Sequence, residues 1–225
     1  MTTVTRIYHS GFLIETEHYF LIFDYYTGQL PDLSGKKIVV FASHRHGDHY
    51  DECIFELEKQ YSDISYVLYH DITNRKQENI LYVQNHQSYD WEGLTVETLQ
   101  STDEGCAFLV KVDDKIYYHA GDLNWWHWDG EPEEFNQWQE EVYKKETDRL
   151  TEVSIDYAFV VLDPRQKQNA TLGILELLKK CNIKHLFPMH FDCWGKREAV
   201  EPYLLLEEMK PYEGIIKLDQ KVTFE

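Results

Sequence analysis

The stretch SHRHGDHYD, from Ser43 to Asp51, concentrates metal-binding side chains in a chain that has only eleven histidines. It follows the apolar run KKIVVFAS, which predicts a strand, and it precedes DECIFELEKQY, whose apolar spacing predicts a helix. A loop at the end of a strand can direct several side chains to one point. Imidazole and carboxylate are good ligands for divalent ions such as Zn²⁺, whereas a chance cluster on a solvated loop would not need this setting. The sequence therefore predicts four metal-binding residues: His44, His46, Asp48 and His49.

Composition limits the other classes of function. The 225 residues are 43% hydrophobic and 28% charged, which predicts one globular domain over residues 1–225. A net charge of −18 disfavours nucleic acid and anionic membranes as partners. No apolar run reaches the roughly 18 residues of a membrane span, and the N-terminus lacks a signal-peptide pattern. We expect a cytoplasmic protein with a small-molecule substrate. Whether it forms a homo-oligomer is left open by the sequence.

The order of elements predicts an α/β fold of two sheets covered by helices. TRIYHS, GFLIET and YFLIFDYY read as a β-meander, and YDWEGLTVETLQS, CAFLVKV and KIYYHAG as later strands. A long charged helix is predicted over residues 131–149. ATLGILELLKKCN predicts a further helix, and REAVEPYLLLEEMK predicts one that Pro202 interrupts.

The spacing His44-x-His46-x-Asp48-His49 resembles the signature of the metallo-β-lactamase-fold hydrolases. Further features follow in the family's order: Asp24 at the end of LIFD, HAGD at 119–122 and PMH at 188–190. HSGFLIE (9–15) resembles the lactonase-like branch, which includes the L-ascorbate-6-phosphate lactonases. The resemblance spans residues 9 to 190 and implies a four-layer αββα sandwich.

The resemblance also implies a centre of two divalent ions. His44 and His46 resemble ligands of site one, whereas Asp48, His49 and His190 resemble ligands of site two. Asp122 resembles the carboxylate that bridges both ions, and Asp48 and Asp122 are the expected catalytic residues. Asp24 is expected to orient the histidine loop by hydrogen bonding. Zn²⁺ suits this ligand set best, with Mn²⁺ or Fe²⁺ as alternatives.

One departure from the family puts site one in doubt. The family usually has another histidine before the bridging aspartate, but LQSTDEGCAF (99–108) contains none. His127, five residues past Asp122, is the favoured substitute. Asp103 or Ser101, within the segment Ser101–Gly105, and the more distant His86 are alternatives. In the remaining alternative, site one is weak and a single ion is firmly bound.

Several other residues have two open interpretations. His9 is either a substrate or orienting contact or a hydrogen-bonded turn residue. Asp163 is a candidate for orienting the site. Arg165 either recognises a carboxylate or phosphate or pairs with an acidic residue. The tryptophans of Trp125–Trp128 either line a pocket or pack the long helix. His119 is expected to be packed rather than a ligand, and Cys193 receives no role.

The predicted function is metal-dependent hydrolysis of a small-molecule lactone, ester or phosphoester. Two ions about 3.5–4 Å apart lower the pKa of water towards neutrality and supply a nucleophile. Two alternatives remain at this stage: a nucleic-acid phosphodiesterase, and a non-catalytic metal- or ligand-binding protein with an incomplete site one.

Overall fold

The computed structural model describes residues 1–72, 75–192, 199–212 and 221–225, so Cys193 lies outside the described residues. Thirteen strands of these residues form two sheets. In chain order the strands are β1 Thr2–Tyr8, β2 Gly11–Glu15, β3 Tyr19–Phe23, β4 Lys37–Ala42, β5 Ile64–Tyr69, β6 Ile80–Val83, β7 Ser88–Trp91, β8 Leu94–Gln100, β9 Cys106–Val112, β10 Lys115–His119, β11 Ser154–Val161, β12 Asn182–Met189 and β13 Lys221–Phe224.

The two sheets are mixed and pack face to face. The first has the order β13-β1-β2-β3-β4-β5-β6, and the second has the order β12-β11-β10-β9-β8-β7. Strands β3 to β6 are parallel to one another, as are β10 to β12. Aromatic rings join the sheets: the Phe12 and Phe159 ring centroids are 4.5 Å apart, and those of Phe23 and Phe108 are 6.3 Å apart. A core of large buried side chains therefore fills the space between the sheets.

Helical segments cover the outer faces of the sandwich. Helices α1 (Glu133–Thr147) and α2 (Leu172–Lys180) contact each other, and α2 contacts β11 of the second sheet. A 3₁₀ helix, Glu52–Lys59, covers the first sheet, where the Phe55 ring lies 4.9 Å from that of Tyr66. This arrangement confirms the predicted four-layer αββα sandwich. The prediction of a single domain over residues 1–225 includes residues that the structure does not describe, so it stays a prediction.

The helix predicted after the histidine loop is confirmed as the 3₁₀ helix Glu52–Lys59. Two other local predictions were wrong in detail. YDWEGLTVETLQS forms two strands, because Glu92 and Gly93 both have positive φ and make a tight turn. In the described part of the helix expected around Pro202 (199–210), the α-helix is Glu201–Leu204 (α3), with Pro202 in its first turn, and the 3₁₀ turn Glu207–Met209 follows it.

The β-meander of β1 to β3 and the hairpin at Asp113–Asp114 confirm their predictions. The sequence analysis did not predict strand β6, which has only four residues. No helix in the part of the chain that the structure describes is long and apolar enough to cross a membrane.

Candidate metal centre

The candidate metal-binding residues meet at one edge of the sandwich because parallel strands end there together. Asp24 follows β3 and His44 follows β4, on the first sheet. Asp122 follows β10 and His190 follows β12, on the second sheet. Loops beyond the carboxyl ends of parallel strands are the usual place for binding sites in α/β proteins. Each sheet thus contributes one half of the cluster.

His44, His46 and Asp122 form one group of neighbouring donor atoms. Nε2 of His44 lies 3.0 Å from Nδ1 of His46 and 3.4 Å from Oδ2 of Asp122. Two ligands of one tetrahedral ion are separated by similar distances, since each lies about 2.1 Å from the ion. Nε2 of His44 is therefore as far from each of the other two atoms as ligands of one ion are from one another. His44 is buried, whereas the His46 side chain is 42% exposed.

His49, His190 and Asp122 form a second group next to the first. Nε2 of His49 lies 3.1 Å from Oδ1 of Asp122, and Nε2 of His190 lies 3.2 Å from the same oxygen. The two oxygens of Asp122 consequently face different groups, with Oδ2 towards His44 and Oδ1 towards His49 and His190. This is the geometry that a bridging carboxylate needs.

In all four histidines, the nitrogen that faces away from the cluster meets an oxygen. Nδ1 of His49 lies 2.7 Å from Asp24, and Nδ1 of His190 lies 3.2 Å from Asp163. Nδ1 of His44 lies 3.0 Å from the Ser43 hydroxyl, which itself donates to Asp24 at 2.8 Å. Nε2 of His46 lies 3.3 Å from Glu104. These oxygens favour a hydrogen on the outer nitrogens, so each ring in its neutral form would present its inner nitrogen as an acceptor.

The electrostatics of the cluster keep Asp122 ionised. Burial alone would raise the pKa of Asp122, but the imidazoles of His49 and His190 outweigh it and hold that pKa well below its usual range. Burial also lowers the pKa of His44 to about 4, and the neighbouring His49 adds to this shift. At neutral pH the cluster therefore presents an ionised carboxylate beside a neutral His44 imidazole, and both are forms that bind metal ions.

Two buried atoms at the centre fit a bound cation. Among the described residues, neither Nε2 of His49 nor Oδ1 of Asp122 has a hydrogen bond of normal geometry. A buried polar atom without a partner is costly, and a cation between these atoms would remove that cost. The donor set of imidazoles and carboxylates is the one that Zn²⁺, Mn²⁺ and Fe²⁺ accept in proteins. The residues present therefore fit a divalent metal.

His9 lies inside the cluster. The sequence analysis had considered it only as a substrate or orienting contact or as a hydrogen-bonded turn residue. Its side chain is fully buried, and Nε2 lies 3.6 Å from Oδ2 of Asp48. His9, Asp48, His49 and His190 each offer a donor atom within 4.8 Å of the others. Asp48 itself is 25% exposed, so it connects this group to solvent.

Three residues of the cluster have backbones in the left-handed region. His9, Asp24 and His190 have φ values of 54°, 42° and 70°. Non-glycine residues rarely adopt these values, and the cost of each is on the order of 1–3 kcal/mol. Such strain is typical of sites where the surrounding structure fixes side-chain positions for function.

Of the proposed substitutes for the missing histidine, the structure brings only Asp103 to the cluster. Asp103 lines the cavity beside His46, Asp48 and Asp122. Ser101 is buried, and its hydroxyl accepts the Asp103 amide at 3.1 Å. His86 is engaged elsewhere, 2.8 Å from Glu146. His127 is not among the residues that line the cavity. The structure therefore does not bring the favoured substitute into the wall of that cavity.

Glu104 was missed by the sequence interpretation. The turn that carries it packs directly on the histidine loop, since the Cys106 amide donates to the Ser43 carbonyl at 3.1 Å. Gly105 permits this approach, because a Cβ there would lie 2.2 Å from that carbonyl oxygen. The acidic pair Asp103–Glu104 in the segment without a histidine was the available signal.

A cavity of about 310 Å³ opens over the cluster. Its walls include Trp126 and Trp128, which stack with ring centroids 5.6 Å apart. Trp125 instead lies under the Lys144 ammonium of α1, 4.6 Å from the ring centroid. The tryptophan segment thus does both of the things considered for it: two rings line the pocket and one packs against the helix.

Arg165 also lines the cavity, and it is paired with Asp163. Its Nε donates to both Asp163 oxygens, at 3.0 and 2.8 Å, and its guanidinium carbon lies 5.3 Å from the Trp128 ring centroid. Asp163 therefore links Arg165 to His190. His119 is buried, stacks on Phe23 and meets the Ser10 carbonyl at 2.8 Å, as expected for a packed histidine.

Comparison with known proteins agrees with this fold. No protein-family model matches the chain. The chain is 25% identical over 215 residues, 85% of either protein, to a UPF0173 metal-dependent hydrolase of Pelotomaculum thermopropionicum.

Solved structures share the fold along nearly the whole chain. A metallo hydrolase from Ignicoccus hospitalis superposes with a TM-score of 0.69 at 18% identity, covering 100% of this chain and 99% of its own. A metallo-β-lactamase fold protein from Bacillus subtilis superposes with a TM-score of 0.64 at 16% identity, covering 99% and 100%. The chain therefore has the metallo-β-lactamase fold.

Proposed function

We propose that the protein, a metal-dependent hydrolase with the metallo-β-lactamase fold, cleaves a small-molecule lactone, ester or phosphoester at a centre of two divalent ions. In this proposal His44, His46 and Asp122 hold the first ion, and Asp48, His49, His190 and Asp122 hold the second. Zn²⁺ is the proposed metal, with Mn²⁺ or Fe²⁺ as alternatives.

One observation carries the proposal: the outward nitrogens of His44, His49 and His190 each meet an oxygen, and the inward Nε2 atoms of the same three rings lie 3.4, 3.1 and 3.2 Å from the Asp122 carboxylate. A solvated histidine cluster has no reason to arrange its outer nitrogens in this way. Metal-binding histidines almost always donate their second N–H to a carboxylate, carbonyl or water.

Divalent ions bound there would lower the pKa of water towards neutrality and stabilise negative charge on the reacting group. Asp48 is well placed to take up the proton that the attacking water releases, because its side chain is 25% exposed and can pass the proton to solvent. Asp24 and Asp163 fix the rings of His49 and His190. Asp122 stays ionised and holds the two groups of donors together.

The cavity supports a small substrate. Its volume of about 310 Å³ is at the lower end of ligand pockets, and Trp126 and Trp128 offer flat apolar faces for the body of the substrate. Arg165 lies in the same wall and is proposed to contact a carbonyl, carboxylate or phosphate oxygen. The net charge of −18 over the whole chain disfavours a polyanion such as nucleic acid.

Asp103 is proposed as the additional ligand at the first ion. Among the substitutes considered, it is the one that lines the cavity beside His46. Glu104 is proposed to orient His46, because it lies 3.3 Å from the nitrogen that faces away from Asp122. A carboxylate in place of an imidazole moves the first site towards the oxygen-rich sets that Mn²⁺ and Fe²⁺ prefer.

The test combines metal analysis with a substrate panel. We expect the purified protein to hold two equivalents of a divalent metal and to hydrolyse at least one member of a panel of lactones, carboxylic esters and phosphoesters. His46→Ala and Asp122→Asn should lower the metal content and reduce kcat/KM at least about 1000-fold, because the nucleophile needs the bound metal.

His18→Ala is the control, since His18 is exposed and pairs with Asp113 at the opposite end of β3. It should keep both metal and activity. A metal-free wild-type protein with full activity would exclude the proposal. A protein that binds metal but hydrolyses no member of the panel would favour the non-catalytic binding alternative.

A further inference from the structure

We infer that His9 is a direct ligand of the second ion, so that three imidazoles bind this ion instead of two. The inference rests on the proposed metal centre and goes beyond it. It concerns the loop between β1 and β2, which leads up to the same edge of the sandwich as the strands that carry the other ligands.

The backbone of His9 is fixed to the loop that carries His190. The His9 amide donates to Oδ2 of Asp192 at 2.6 Å, and the His9 carbonyl accepts the His190 amide at 3.3 Å. Arg6 pairs with the same Asp192 carboxylate. These contacts hold His9 at a φ of 54°, so the fold maintains a strained backbone in order to place this ring.

The ring of His9 lies among the second group of donors. Its centroid is 4.3 Å from that of His190 and 5.9 Å from that of His49. The four donor atoms of His9, Asp48, His49 and His190 lie within 4.8 Å of one another. Opposite ligands of one ion are separated by about 4.2 Å, twice a typical metal–nitrogen distance. A small contraction around one ion would therefore bring all four atoms to bonding distance.

The added imidazole makes the two sites unequal. With Asp122, the second site has five protein donors, whereas the first has His44, His46, Asp122 and the carboxylate of Asp103. Five protein donors favour an ion that accepts five or six ligands over a strictly tetrahedral one. We expect the second site to bind its ion more tightly than the first.

His9→Gly removes the imidazole and suits the backbone, because glycine adopts positive φ without strain. The matched control is His86→Gly: His86 is also a histidine with positive φ (60°), but it pairs with Glu146 away from the cavity. His9→Asn is a second variant, since asparagine tolerates the left-handed region better than most residues. Circular dichroism of the metal-free proteins shows that each variant is folded.

The readouts are Co²⁺ binding and proton NMR of the Co²⁺ protein, in which each ligating imidazole gives a shifted N–H signal. In His9→Gly we expect one such signal fewer. We also expect the tighter site to bind Co²⁺ at least about 100-fold more weakly, which exceeds the roughly 10- to 100-fold loss typical when a contact that only orients a ligand is removed. Added imidazole should restore both. His86→Gly should match the wild type.

An unchanged set of shifted signals in His9→Gly and His9→Asn would overturn the inference while the hydrolase proposal stood. A wild-type protein that bound no Co²⁺ would overturn both. Weaker binding with all signals retained would show that His9 only orients Asp48, and this result also contradicts direct ligation.

Discussion

At the scale of single residues, the centre depends on side chains that are not among its proposed ligands. Asp24 is fully buried, and it accepts hydrogen bonds from the Ser43 amide, the Ser43 hydroxyl and Nδ1 of His49. Burial alone would raise the pKa of Asp24, but nearby His119 and His49 outweigh it and hold that pKa below its usual range. One carboxylate therefore sets the orientation of two histidines, His49 directly and His44 through Ser43.

Asp24→Asn should weaken metal binding about 10- to 100-fold, the range for partners that orient metal-binding histidines. The amide keeps the shape of the side chain but leaves one oxygen where three donors converge. Metal affinity, measured by competition with a chromophoric chelator, checks this expectation.

Asp113→Asn is a matched control. Asp113 likewise accepts three hydrogen bonds, from the Thr16 hydroxyl, the His18 amide and Nδ1 of His18. These contacts lie at the other end of β3, away from the centre. An equal loss of metal affinity in both variants would show that the effect is general destabilisation.

At the scale of elements, the centre depends on the packing of two loops from different sheets against each other. The turn of residues 101–105 lies on the histidine loop, and Gly105 (φ 83°) is where their backbones come closest. A Cβ on Gly105 would lie 2.5 Å from the Cβ of His44. The position of His44 therefore depends on a residue that the second sheet supplies.

Gly105→Ala should destabilise the metal-free protein by about 3 kcal/mol or more, because backbone strain and a steric clash act together. It should also lower the metal content, since His44 must move. Urea unfolding of the metal-free protein and metal analysis provide the two measurements.

Gly130→Ala separates the two causes. Gly130 has a similar φ of 94°, but a Cβ there would meet nothing within 4 Å. Only the strain remains, about 1–2 kcal/mol, and the metal content should not change. Equal destabilisation of both variants would contradict the role given to the contact with His44.

At the scale of the whole molecule, the centre joins the two sheets at one edge. The first sheet supplies the histidine loop and Asp24, and the second supplies Asp122, Asp163 and His190. An ion that binds ligands from both sheets stabilises the folded chain, because the unfolded chain does not present these ligands together.

Removal of the metal should therefore lower the Tm by about 10 °C. At a metal concentration of about 1000 Kd, binding contributes roughly 4 kcal/mol, and each kcal/mol shifts the Tm of a 225-residue protein by about 2–4 °C. Differential scanning fluorimetry with and without a chelator measures the shift.

Asp122→Asn is the control for this experiment, because it should lower the metal content before any chelator is added. Its Tm should hardly respond to the chelator. A wild-type Tm that is equally unresponsive would show that no ion joins the sheets.

The sequence by itself determined the fold, and it predicted most of the candidate ligands through the resemblance of its motifs to those of the metallo-β-lactamase-fold hydrolases. The histidine spacing, the alternation of strands and helices, and Asp24, Asp122 and His190 at predicted strand ends are local features. Periodicity and ligand chemistry are encoded within short segments, and such features can be found without a structure.

Only the tertiary structure decided which distant residues share a site. It did not bring His127 into the wall of the cavity, although His127 is only five residues from Asp122 in the chain. It brought in Asp103, Glu104 and His9, whose short segments contain no metal-binding spacing. The physical reason is that sheet pairing and backbone contacts set the direction of each loop. The Ser43–Cys106 hydrogen bond and the approach at Gly105 are made between segments some sixty residues apart, and no local pattern records them.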